Sequence, residues 1–258
     1  MPPRTRLDEL LVLRGLCPSR SRAQALIAAG KVLVAGQVVS RKAELVDRDV
    51  PLKVTERDYV SRGAFKLLHA LDRFGADPCG RVALDAGAST GGFTQVLLER
   101  GARRVYAVDT GHGQLVPALR ADPRVSVREG TNLRHLRRGD LPEAIEFFSL
   151  DLSFISLRLV LPAVADLAAQ GAEVVALVKP QFEAGPLDVG KGGLVREPKV
   201  HLRVLLEVAA AAEANGFSPL GVCPSPIRGG DGNREYLMHL GPGPARFDAA
   251  AAVEEAWS

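Results

Sequence analysis

An apolar stretch that runs straight into a glycine-rich turn constrains this chain more than any other feature. Val82-Ala83-Leu84-Asp85-Ala86 is followed by Gly87-Ala88-Ser89-Thr90-Gly91-Gly92-Phe93-Thr94. The pattern predicts a strand over residues 81–87, a sharp turn, and a helix over residues 90–100. Glycines at such a turn let the backbone reverse and approach a ligand closely. A dinucleotide site would show G-x-G-x-x-G, with helix N–H groups aimed at a pyrophosphate. Here the spacing is D-x-G-x-x-x-G-G and opens on an acid. That suits the zwitterionic amino-acid end of S-adenosyl-L-methionine better than a pyrophosphate. A second acid, Asp109, closes the next apolar run, where a carboxylate can accept hydrogen bonds from ribose hydroxyls. A ligand-free turn would account for the glycines alone, but not for an acid about twenty residues further on. The candidate cofactor residues are Asp85, Gly87, Ser89, Thr90, Gly91, Gly92, Phe93, Asp109 and Thr110, joined by Asp151 and Phe154 from a later strand end.

Around this turn the chain alternates strand and helix. Strands are expected over residues 81–87, 104–110, 125–129, 147–154, 173–179, 220–223 and 235–240, with helices over 90–100, 156–169 and 197–215. Such βαβ alternation implies a largely parallel sheet covered on both faces. The fold class is α/β: a Rossmann-like, seven-stranded sheet of the methyltransferase kind over residues 63–245, after a linker over 57–62. Residues 246–258 are alanine-rich and acidic and read as a frayed helix or tail.

A separate αβ unit is expected over residues 4–56. Leu7, Leu10, Leu11 and Leu13 recur at near-helical spacing; Ser19 is placed to cap a second helix with Ala23, Leu26 and Ile27 buried, and Gly30 to end it. Lys31–Val34 and Gln37–Val39 flank Ala35-Gly36 as a short hairpin. Residues 1–57 carry 11 Lys/Arg against 6 Asp/Glu, although the whole chain has a net charge of only +3. A basic head on a near-neutral body is a handle for a polyanion, though a solvated basic face would look the same. Arg6-Leu7-Asp8 with Ser19-Arg20-x-x-Ala23-x-x-Leu26-Ile27-x-x-Gly30-x-Val32-x-Val34-x-Gly36 resembles the S4 RNA-binding domain. The resemblance implies RNA contacts from Arg4, Arg6, Arg20, Arg22, Lys31, Arg41 and Lys42. With few aromatics, such a head would recognise phosphates and shape.

Charged residues also fall at the ends of apolar strands. Asp151 closes Phe147–Leu150, and Lys179 closes Val174–Val178. A charge there needs a reason, because burial of an unpaired ion is costly. Ligand sites in open α/β sheets lie outside these carboxyl ends. Lys66 falls on a helix before the glycine turn, and Glu235 opens the last strand; singly, each reads more readily as a surface residue. Gly185–Gly192 nearly fits a phosphate-binding P-loop but has Gly192 where Ser or Thr would hold magnesium. It reads instead as a loop beside the site, with Lys191 and Arg196 as phosphate contacts.

Lys66, Asp151, Lys179 and Glu235, in this order, resemble the Lys-Asp-Lys-Glu tetrad of ribose 2′-O-methyltransferases. The wider pattern resembles the TlyA family: Asp85–Thr94, DLSFISL from Asp151, LVKPQFE from Leu177, GNREYL from Gly232, and the S4-like head. That family is described both as hemolysin-like and as ribosomal RNA 2′-O-cytidine methyltransferases. The chain departs from its pattern at Val116-Pro117, where an aromatic is expected. The resemblance implies S-adenosyl-L-methionine as cofactor, ribosomal RNA or ribosomal subunits as partner, and the tetrad as catalytic residues. On chemical grounds, because an activated methyl needs only an aligned hydroxyl and a way to handle its proton, Lys179 is expected to be the proton acceptor or oxyanion stabiliser, with Asp151 and Glu235 holding the two lysines in place.

Other readings are constrained by composition. Cys17, Cys79 and Cys223 are odd in number and far apart, which points to a reduced, cytoplasmic protein without a disulfide frame. The five histidines lack metal spacing, so no metal is expected. No apolar run reaches the roughly 18 residues of a membrane span, so neither membrane association nor a membrane-active hemolysin is expected. Nothing specifies more than a monomer or weak oligomer. An RNA-binding protein without catalysis would not need the tetrad. A base methyltransferase would show an Asn-Pro-Pro-Tyr-type strand end or a cysteine nucleophile.

Overall fold

The computed structural model describes residues 4–39, 41, 44–54, 59–229 and 232–258. The head begins with β1 (Arg4–Arg6), α1 (Leu7–Leu13) and α2 (Arg20–Ala28). Leu7, Leu10 and Leu11 meet Ala23, Leu26 and Ile27 in a small core. Leu13, expected on that face, is 68% exposed because it lies off the stripe of the other three. Ser19 caps α2, its Oγ accepting from the Arg22 N–H at 3.2 Å. The predicted hairpin forms from β2 (Val32–Val34) and β3 (Gln37–Val38). Its turn residues, Ala35 and Gly36, both take positive φ (50° and 81°), as a two-residue hairpin turn requires. Sequence reading missed β4 (Leu45–Asp47), which pairs with β1, and β5 (Leu52–Val54), which pairs with β2. Three-residue strands carry too little alternation to be seen.

The larger body contains α3 (Ala64–Phe74), β6 (Val82–Ala86), α4 (Gly92–Glu99), β7 (Arg104–Val108), α5 (Pro117–Arg120), β8 (Val125–Arg128) and β9 (Ile145–Leu150). It continues with α6 (Leu161–Leu167), β10 (Ala168–Val178), α7 (Pro180–Glu183), α8 (Pro198–Ala214), β11 (Ser218–Pro224), β12 (Tyr236–Gly241) and α9 (Ala249–Trp257). All seven expected strands form one sheet in the order β11-β12-β10-β9-β6-β7-β8. The pairings among β6 to β10 are parallel, and β12 runs antiparallel between β10 and β11. Alternate residues face opposite ways: Phe148 and Leu150 pack with α6, α8 and α9, while Phe147 packs with α3 and α4. Two buried layers therefore sandwich the sheet, and its polar strand ends open along one edge.

Two expectations need correction. The strand expected over 147–154 stops at Leu150, and Asp151–Ser156 turn away as a loop, with Phe154 at φ 63°. The segment after Asp248 is not frayed. Asp248 caps α9, accepting from the Ala251 N–H at 2.9 Å, and Ala249, Ala252 and Val253 are buried. Trp257 lies under the Arg234 guanidinium at 3.8 Å. No helix among the described residues is long and apolar enough to cross a membrane.

Candidate active site

The glycine turn sits where β6 ends, and the neighbouring strand ends clasp it. Gly87 (φ 83°) lies so close to the Asp151 carbonyl that a Cβ would come within 2.3 Å of that oxygen. Asp109, from the end of β7, accepts the Ser89 N–H at 2.8 Å and the Gly111 N–H at 2.7 Å. A cavity of about 470 Å³ opens beside them. Gly87, Ser89, Asp109 and Thr110 form its polar side, and Leu133, Ile155 and Val160 its apolar side. Thr90, Gly92 and Phe93 face a second cavity of about 410 Å³. The α4 N-terminus there has no capping side chain, leaving backbone N–H groups for an anionic group.

Two expected cofactor contacts are not in either cavity. Asp85 is fully buried beneath the turn and accepts from Thr94 Oγ1 at 2.7 Å and Ser149 Oγ at 3.0 Å. Burial pushes its carboxyl up to about 7. These two hydrogen bonds tie α4 to the sheet from below. Gly91 (φ 103°) backs onto Leu115 and Leu119, where a side chain has no room.

The second cavity collects the four charged residues. Lys66 Nζ, from α3, donates to Glu235 Oε2 at 2.6 Å, and both residues are buried. Lys179 Nζ meets Asp151 Oδ1 at 2.7 Å and donates to Ser153 Oγ at 2.9 Å. Each lysine thus has its own carboxylate. Asp151 lines both cavities and joins them. Phe154, whose ring is 5.0 Å from that of Phe182, also borders both and is 91% exposed. The wall is completed by Ser61, Arg62 and Ile227–Gly229, which sequence reading did not single out.

Glu183 was also missed as a site residue, although it lies in the LVKPQFE motif. It accepts the Leu157 N–H at 2.6 Å and the Ser156 hydroxyl at 2.5 Å, with Arg158 3.5 Å away. It therefore pins the loop carrying Asp151, Ser153 and Phe154 to the helix following Lys179. Burial raises its carboxyl above the usual range.

The basic head is less free than its composition suggests. Arg6 and Arg20 both bind the fully buried Asp8, at 3.0 Å and 3.3 Å, and Arg20 also reaches Glu9 at 3.2 Å. Those contacts hold Asp8 well below the ordinary carboxylate range. Arg4 faces Asp47 at 3.6 Å. Part of the predicted RNA-facing charge is thus committed to the head's own structure. Arg22, Arg41, Lys191 and Arg196 are exposed and Lys31 is half-buried; Lys42 lies outside the described residues. The Gly185–Gly192 run is a loop, and the next helix, α8, begins only at Pro198. Head and body touch where the Val38 N–H donates to the Pro226 carbonyl at 3.2 Å, beside the cavity wall. No group of three or more potential metal ligands occurs among the described residues.

Comparison with known proteins fits this geometry. The FtsJ-like methyltransferase family profile matches residues 59–242, and that of the S4 domain matches residues 5–50. The 16S/23S rRNA (cytidine-2′-O)-methyltransferase TlyA of Mycobacterium tuberculosis is 47% identical, covering 99% of this chain and 97% of that protein. Hemolysin A of Brachyspira hyodysenteriae is 39% identical over 91% of this chain and 99% of its own length. A solved structure described as a hemolysin from Streptococcus thermophilus superposes with a TM-score of 0.74 at 42% identity, covering all of this chain and 96% of that one. With its S4 head, glycine turn and sheet order all in place, this chain belongs to the TlyA family of FtsJ-like, S-adenosylmethionine-dependent methyltransferases.

Proposed function

We propose that this chain transfers the methyl group of S-adenosyl-L-methionine to the ribose 2′-hydroxyl of a cytidine in ribosomal RNA, in the cytoplasm. The observation that carries this reading is Asp151. It borders both cavities and binds Lys179 at 2.7 Å, so a nucleoside-sized site and a pair of lysine–carboxylate pairs share one wall.

The residues present fit this cofactor. The 470 Å³ cavity is in the usual range of small-molecule sites, and its polar and apolar halves suit a ribose and a purine. Asp109 and Thr110 would hold the ribose; Leu133, Ile155 and Val160 would flank the base. The backbone of Gly87–Thr90 and the start of α4 would take the amino-acid end. When bound, the cofactor supplies a methyl group already activated on a sulfonium. The chain's own task is then to align the hydroxyl and manage its proton.

Ion pairing with Asp151 favours an oxyanion-stabilising role for Lys179 over proton acceptance. Its ammonium would donate to the hydroxyl oxygen as charge develops there, held in aim by Asp151 and Ser153, while the hydroxyl proton passes to solvent water. Lys66 and Glu235 would present a second ammonium to the same cavity. The exposed Phe154 ring offers a surface for a nucleobase. The basic head, Lys191 and Arg196 would bind RNA phosphates.

The test is transfer of labelled methyl to naked ribosomal RNA and to isolated small and large subunits, followed by digestion to nucleosides. Labelled 2′-O-methylcytidine that vanishes in Lys179→Ala, with cofactor affinity retained, is expected. A base-methylated product, or near-normal turnover by Lys179→Ala, would refute the assignment.

A further inference from the structure

Asn233 is 2% exposed and spends its whole side chain on a neighbouring loop. Its Oδ1 accepts the Val195 N–H at 3.0 Å, and its Nδ2 donates to the Gly193 carbonyl at 2.8 Å. Its backbone carbonyl accepts the Gly229 N–H at 3.0 Å. One residue therefore fastens the loop between α7 and α8, which carries Lys191 and Arg196, to the turn leading into β12. Glu235 stands two residues further on. A Cβ on Gly229 would lie 2.5 Å from Glu235 Oε1, so the backbone that Asn233 secures rests directly against this carboxylate.

A second fastening grips the same residue from the other side of Glu235. The buried His201 Nε2 lies 2.9 Å from the Val195 carbonyl, and its Nδ1 lies 3.0 Å from the Tyr236 hydroxyl. A carbonyl can only accept, so Nε2 carries the hydrogen and Nδ1 accepts from Tyr236. Val195 is thus held by its N–H through Asn233 and by its carbonyl through His201. These connections reach the chain on both sides of Glu235. The far end of the loop is braced separately, by Asp188 on Arg203 at 2.6 Å.

We infer that Asn233 is a positioning residue for Glu235: by closing the 185–196 loop onto the turn before β12, it fixes the carboxylate that holds Lys66 in the cavity. This rests on the reading of Lys66 and Glu235 as part of the reacting site. Closure of an RNA-facing loop and alignment of the buried pair are then one event.

The experiment compares Asn233→Ala, Asn233→Asp and Asp188→Asn in the full-length protein, with ribosomal RNA substrate and saturating S-adenosyl-L-methionine. Asn233→Ala should lower kcat by about 10- to 100-fold with little change in KM for RNA or in cofactor affinity. Asp188→Asn should change KM and leave kcat near normal. Asn233→Asp supplies the specific readout. When protonated, its carboxyl can accept from Val195 and donate to Gly193; when ionised, it opposes the Gly193 carbonyl. Its kcat relative to the unmodified chain should therefore rise several-fold from pH 8.5 to pH 6, while the Asn233→Ala ratio stays flat. A general loss of stability would lower both ratios without that divergence. Full kcat in Asn233→Ala, or parallel ratios for the two variants across pH, overturns the inference. If Glu235→Gln itself keeps full kcat, the underlying reading of the pair falls first. If Glu235→Gln is inactive while Asn233→Ala is normal, only the positioning role falls.

Discussion

The Lys66–Glu235 pair makes a quantitative prediction about stability as well as activity. The two charges sit 2.6 Å apart, with side chains 10% and 3% exposed. At an effective dielectric of about 20, their attraction is roughly 6 kcal/mol, before the cost of removing both ions from water. That desolvation cost is several kcal/mol per ion, so the pair is close to neutral against an apolar replacement of similar volume. Breaking it from one side is different, because a buried charge is left without a partner. Lys66→Met and Glu235→Leu should each destabilise the protein by about 3–5 kcal/mol. The double variant should cost far less than the sum, giving a coupling energy of about 3 kcal/mol or more. In melting temperature, each single change corresponds to roughly 6–20 °C. The assay is urea unfolding followed by fluorescence of Trp257, the chain's single tryptophan, which packs against Arg234 beside Glu235. Single variants that each cost under about 1 kcal/mol, or costs that simply add, would refute the pair as a desolvated unit. All three variants should lose methyl transfer, so stability and activity separate in the double variant.

Other outcomes follow from single positions. Gly87→Ala places a methyl group against the Asp151 carbonyl at a left-handed φ, and should abolish cofactor binding in calorimetry. Asp85 has a folded-state carboxyl raised to about 7 from an ordinary value near 3.8, so the folded protein holds its proton more tightly than the unfolded chain. Its contribution to stability is complete below about pH 4 and is lost as pH rises through about 7; Asp85→Asn should flatten that slope in melts between pH 4 and 8. Asp248→Ala removes the α9 cap and should cost about 1 kcal/mol in the same unfolding assay. RNA affinity should fall steeply between 50 and 200 mM salt in filter binding, and a shallow slope would count against phosphate recognition as the main anchor.

The order of residues alone sets the architecture of the larger body and marks Asp151 and Lys179 at its edge. Apolar runs of strand length alternating with amphipathic helices leave a covered, mostly parallel sheet as the way to bury both. A charge at the end of such a run, like Asp151 or Lys179, marks the edge where the strands stop. What the sequence could not set was partnership, because pairing depends on distances between residues far apart in the chain. Lys66 and Glu235 are separated by 169 positions, yet tertiary packing brings them to 2.6 Å. The same packing assigned each lysine its own carboxylate and drew Asp85 beneath the turn, onto Thr94 and Ser149. It also turned Arg6 and Arg20 inward onto Asp8, and made Asn233 and Glu183 the fasteners of loops that local pattern leaves unconnected. Periodicity reports which face of an element is buried. Only the folded chain decides which polar groups are left to satisfy one another there, because each buried donor and acceptor must find its partner in three dimensions.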